Sequence, residues 1–72
     1  MKLDQPERNL LAQSYQAAWY ALKGQAIAVS PQENGWFLIR FPGRSLPQKV
    51  RSSQILRGIA EITETLAIRR DH

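Results

Sequence analysis

Leu11, Tyr15, Ala18, Trp19 and Leu22 recur at i, i+4, i+7, i+8 and i+11, a single apolar stripe at the helical period. Asn9, Gln13, Gln16 and Tyr20 fall opposite it. Asp4 precedes Glu7 by three residues, the spacing of a capping box. Pro6 falls in the first turn, where its missing N–H costs nothing. Lys23 and Gly24 close the segment with a cation in the last turn and a glycine just past it. The pattern predicts a helix over residues 5–23.

The period then changes to two. "QAIAVS" and "GWFLIRF" are β-compatible runs. "PQENG" between them supplies the Asn34-Gly35 pair, which accepts positive φ cheaply. A hairpin over residues 25–41 follows. Phe37, Ile39 and Phe41 point one way in the second strand, and Trp36, Leu38 and Arg40 the other. In the first strand Ile27 and Val29 oppose Ala26, Ala28 and Ser30. The face with Ile27, Val29, Phe37, Ile39 and Phe41 is the bulkier and is expected in the core. That leaves Trp36, Leu38, Ala26 and Ala28 as a candidate apolar interface on the outer face.

Residues 42–51 read as a basic loop holding a short strand, confined to an edge by Pro47. Ile55, Ile59, Ile62 and Leu66 repeat at steps of four, three and four. They predict a helix over residues 53–67, capped by Ser52 or Ser53, with residues 68–72 fraying. Gly58 inside it is unfavourable by about 1 kcal/mol relative to Ala and is expected to mark the close approach of another backbone. The order is α-β-β-(β)-α. This is an α+β fold in which two amphipathic helices cover one face of a small antiparallel sheet. Seventy-two residues make one domain of this kind, spanning 1–72.

Charge sharpens the picture. The chain carries 10 Lys and Arg against 6 Asp and Glu, a net charge of +4. No acid lies between Glu33 and Glu61, whereas Arg40, Arg44, Lys49, Arg51 and Arg57 all do. A field of this sign attracts phosphate, anionic lipid or an acidic protein face. There is no cysteine, hence no disulfide, thiolate metal site or thiol nucleophile. The opening "MKLDQPERN" has no apolar signal region, and no stretch is long and apolar enough to span a membrane. A cytoplasmic protein is the default expectation.

Chemistry is excluded by inventory. The single histidine, His72, is the last residue, and Ser45, Ser52 and Ser53 have no base to activate them. The glycines match neither a P-loop nor a dinucleotide fingerprint. No enzyme activity, metal, cofactor or small-molecule substrate is expected. Guanidinium groups on a strand end and a loop, leading into a helix N-terminus, suit phosphate, and Trp36 beside Arg40 suits an unpaired base.

In element order the chain resembles a double-stranded-RNA-binding domain, which places basic residues at the start of its last helix. Lys49 and Arg51 occupy a comparable place. The hairpin here is shorter, and the Lys-rich opening turn of that helix is missing.

The sequence therefore points to a small non-enzymatic binding module. It would dock Arg40, Arg44, Lys49, Arg51 and Arg57, with Trp36, on a polyanion, nucleic acid foremost. The alternative is a protein-interaction adaptor or inhibitor that grips an acidic partner with the Trp36 and Leu38 face. Association as a homodimer through sheet faces or strand edges is expected in either case.

Overall fold

A computed structural model describes residues 4–70. In chain order it contains α1 (Gln5–Lys23), β1 (Ala28–Pro31), β2 (Trp36–Arg40), β3 (Gln48–Arg51) and α2 (Ser52–Arg70). A 3-10 turn, Glu33–Gly35, joins β1 to β2. The three strands form one antiparallel sheet in the order β1-β2-β3, which establishes the α-β-β-β-α fold and makes the third strand a real one.

Local chemistry explains most boundaries. Asp4 is extended ahead of α1 (φ −69°, ψ 162°), but its side chain caps nothing. The backbone carbonyl of Asp4 instead accepts the Arg8 N–H at 2.9 Å, so the expected Asp4–Glu7 capping box does not form. At the other end Gly24 adopts φ 70° and donates its N–H to the Tyr20 carbonyl at 2.8 Å, a left-handed stop that a side chain would strain. Asn34 and Gly35 both take positive φ in the hairpin loop, where the Gln32 N–H donates to the Trp36 carbonyl at 2.7 Å.

The last helix departs from expectation at both ends. It begins at Ser52, directly after β3, so neither Ser52 nor Ser53 stands ahead of it as a cap. Gln54 closes the corner by accepting the Arg51 N–H on Oε1 at 2.8 Å, the acceptor half of a capping box. The helix then continues through Arg70, so residues 68–70 belong to it. There Arg69 Nη1 donates to the Leu22 carbonyl at 3.5 Å, placing a cation at the negative end of α1. Residues 1–3 and 71–72, His72 among them, lie outside the described residues.

Both helices pack on the same face of the sheet, α1 over β1 and α2 over β3. They run parallel, since Tyr15 meets Gly58 and Leu22 meets Arg69. Leu11, Ala12, Tyr15 and Ile55 come down on Ile27, Val29, Phe37, Ile39 and Val50. Phe37, from the central strand, is 0% exposed. Phe41 lies at the margin and packs against Trp19, ring centroids 5.1 Å apart.

Gly58 marks a close approach, but of a side chain. A Cβ added there would lie 2.8 Å from Cε2 of Tyr15, so the glycine makes room for the Tyr15 ring rather than for another backbone. Burial holds the Tyr15 hydroxyl above its ordinary pKa of 10.0, and the nearby Glu61 carboxylate adds to the effect. The molecule is a slab of 41 × 31 × 16 Å, two layers thick, and the described residues leave one face of the sheet uncovered.

Candidate nucleic-acid interface

Strand register composes the uncovered face. Val29, Phe37, Ile39 and Val50 are buried toward the helices, so alternation turns Ala28 and Ser30, then Trp36, Leu38 and Arg40, then Lys49 and Arg51 outward. Trp36 lies opposite Arg51, Leu38 between Ser30 and Lys49, and Arg40 opposite Ala28. The face thus runs from small neutral residues on β1, through an apolar midline on β2, to a cationic margin on β3. Among the described residues it carries three cations, Arg40, Lys49 and Arg51, and no acid.

Trp36 is the hub of this arrangement. The Arg51 guanidinium carbon stands 4.2 Å from the Trp36 ring centroid and the Lys49 ammonium nitrogen 4.7 Å from it, both within cation–π range. Trp36 and Leu38 are half-buried, while Arg40, Lys49 and Arg51 are exposed. The two residue sets that the sequence offered as alternatives, basic and apolar, are therefore interleaved on one surface.

Three candidates are placed differently. Arg44 is exposed on the β2–β3 loop, just past the Pro42-Gly43 turn, where its N–H donates to the Phe41 carbonyl at 3.3 Å. It flanks the Arg40 end of the face without being part of the sheet. Arg57 sits on α2 two residues after the buried Ile55, which turns it to the outside of the helix layer. Ala26 precedes β1 and lines a shallow groove with Gln16, Ala17, Tyr20 and Ile27, away from Trp36. The first turn of α2 holds no cation, a departure from the double-stranded-RNA-binding pattern.

Arg8 was missed by the sequence reading. It is half-buried, with its guanidinium carbon 5.6 Å from the Phe37 ring centroid. Nη2 donates to the Trp36 carbonyl at 3.3 Å and Nη1 to Gln5 Oε1 at 3.5 Å, while Nε is buried without a partner among the described residues. Its signal was available, because Arg8 precedes Leu11, Ala12 and Tyr15 by three, four and seven residues and so lies on the buried stripe. Arg8 ties the start of α1 to the strand that carries Trp36.

Both rims of the sheet are partly capped. On β1 the outward Val29 N–H donates to Gln16 Oε1 at 2.7 Å, and Pro31 has no N–H to offer. On β3 the Arg51 N–H is taken by Gln54, and Pro47 precedes the strand. The outward Lys49 N–H has no such cap among the described residues, so the β1 edge resists pairing with another strand more than the β3 edge does.

Among the described residues no three His, Cys, Asp or Glu side chains gather to hold a metal ion, and no helix is long and apolar enough to cross a membrane. No protein-family model, curated protein or solved structure matches the chain significantly.

Proposed function

We propose that the protein is a small non-enzymatic binding module that docks its uncovered sheet face on a polyanion, specifically nucleic acid. One observation carries the reading: Arg40, Lys49 and Arg51 share a face with no acid, and two of them stand against the ring of Trp36. Cations held over an aromatic ring offer contacts to phosphate and, through the Arg51 guanidinium plane, a stacking surface for a base. An acidic protein surface would satisfy the cations but would leave the indole without a specific role. Arg44 extends the field at the loop end, and Arg57 contributes only long-range attraction from the opposite layer.

Self-association by the expected routes meets charge on the face and caps on parts of the rims. Two copies stacked sheet to sheet with their β3 strands together would press Lys49 and Arg51 against the same cations of the other copy. Edge pairing meets the Gln16 cap and Pro31 on β1 and the Gln54 cap at one end of β3. We therefore propose that the molecule engages its ligand as a monomer through this face.

The test is binding of labelled oligonucleotides between about 50 and 300 mM salt. A log–log slope of about −2 to −3 is expected from three to four neutralised phosphates. The Lys49→Ala/Arg51→Ala variant should lower affinity at least about 10-fold and flatten the slope by about 1.5. Absence of binding at the lowest salt would reject the reading.

A further inference from the structure

From the layout of the uncovered face we infer that its ligand is single-stranded rather than duplex nucleic acid; this rests on the polyanion reading and narrows it. The face is divided lengthwise. Lys49 and Arg51 lie along β3, Trp36 and Leu38 along β2 with Arg40 ending that row, and Ala28 and Ser30 along β1. One strand spacing, about 4.8 Å, separates each line from the next. A single nucleotide strand is divided the same way, with phosphates along one side and base faces free on the other. Laid along the sheet, it would set its phosphates against the edges of the β3 cations and its bases on Leu38 and on the Arg51 guanidinium layered over Trp36, above the low floor of Ala28 and Ser30.

A duplex offers no such match. Its base faces are stacked inside and only base edges show in the grooves. The major groove, about 12 Å wide, admits a helix or a two-stranded ribbon. This sheet has three strands with a helix layer behind them, in a slab 41 Å by 31 Å across, so its flat face cannot enter. Pressed on the outside of a duplex, the face would meet phosphates with its β3 margin and leave Trp36 and Leu38 against nothing they can use. The Arg51 guanidinium, 4.2 Å from the Trp36 centroid, adds a second planar group on which a base can stack.

Length follows from the rows. Arg51 with Trp36, Lys49 with Leu38, and Arg40 make three levels, spaced about 6.7 Å along the strands. A strand of about three to four nucleotides fills them, with Arg44 meeting the phosphate beyond Arg40.

The experiment compares three labelled probes at about 50 mM salt: a 12-residue oligothymidylate, a hairpin duplex of equal phosphate number, and poly-glutamate. Expected is single-strand binding at least about 10-fold tighter than duplex, with quenching of tryptophan emission. Trp36→Phe should remove most of that quenching, since Trp19 lies on the core side, while melting like the parent chain. Trp36→Ala should weaken the single strand about 10-fold or more and the duplex little. Duplex binding equal to or tighter than single-strand binding overturns this inference and leaves the polyanion reading standing. Poly-glutamate bound as tightly as oligothymidylate overturns the inference and favours an acidic protein partner. No binding of any probe overturns the polyanion reading itself.

Discussion

Trp36 and Phe37 are neighbours in the chain, both large and aromatic, and they lie on opposite faces of one strand. Phe37 is wholly enclosed by two helices and the flanking strands. Trp36 is half-exposed and surrounded by cations. Hydrophobicity does not separate the two residues, because each would contribute to a core if covered. What separates them is the company that strand pairing brings: Val50 and Pro31 beside Phe37, Arg51 beside Trp36. A sheet with one covered face commits one side to stability and leaves the other free for recognition.

The largest effect should come from removing the covered ring. Phe37→Ala is expected to lose about 3–5 kcal/mol, enough to unfold much of a domain this small. Trp36→Ala should lose only about 1 kcal/mol, mostly its cation–π contacts. Urea melts of the two variants decide the matter, and the comparison breaks if Trp36→Ala proves the more damaging.

A second substitution probes how tightly the covered side is filled. Gly58→Ala gains about 1 kcal/mol of helix propensity but drives a methyl group to 2.8 Å from the Tyr15 ring, an overpacking strain of about 1–3 kcal/mol. A lower melting temperature with unchanged oligonucleotide affinity is expected. A rise in melting temperature would mean that the helices part easily.

The smallest effect is a dependence on pH. The folded-state pKa of Tyr15 is raised above the unfolded value of 10.0, so the unfolded chain releases this proton first. Its contribution is fully present below pH 10 and is lost as pH rises from there through the folded pKa. Tyr15→Phe should remove that component, seen as a shallower loss of stability between pH 9 and 11, a range about the unperturbed tyrosine pKa. Oligonucleotide binding measured at neutral pH should not change.

Much of this architecture was legible in the residues, for identifiable reasons. The Leu11–Leu22 stripe, the Gly24 stop and the Asn34-Gly35 turn fix α1 and the hairpin by local rules, and the structure keeps them. The choice of Phe37 and Ile39 over Trp36 and Leu38 for the core also holds. What local rules could not supply was the position of β3 along β2. That register alone brings Lys49 and Arg51 to Trp36 and merges two candidate surfaces into one. Arg57 shows the converse error, in which nearness in sequence stood in for nearness in space. Arg8 was hidden because a charge on an apolar stripe reads as an interruption, whereas its long stem lets it lie over Phe37 while its head reaches the Trp36 carbonyl.

The glutamine and proline rims of the sheet have a consequence at high occupancy. On a long ligand many copies would sit side by side, and open strands there would zip neighbours into a continuous ribbon. Here Gln16 and Gln54 already hold one of the N–H groups on each rim through which such growth would start. Neighbouring copies would meet as separate beads, each able to leave the strand without tearing a shared sheet.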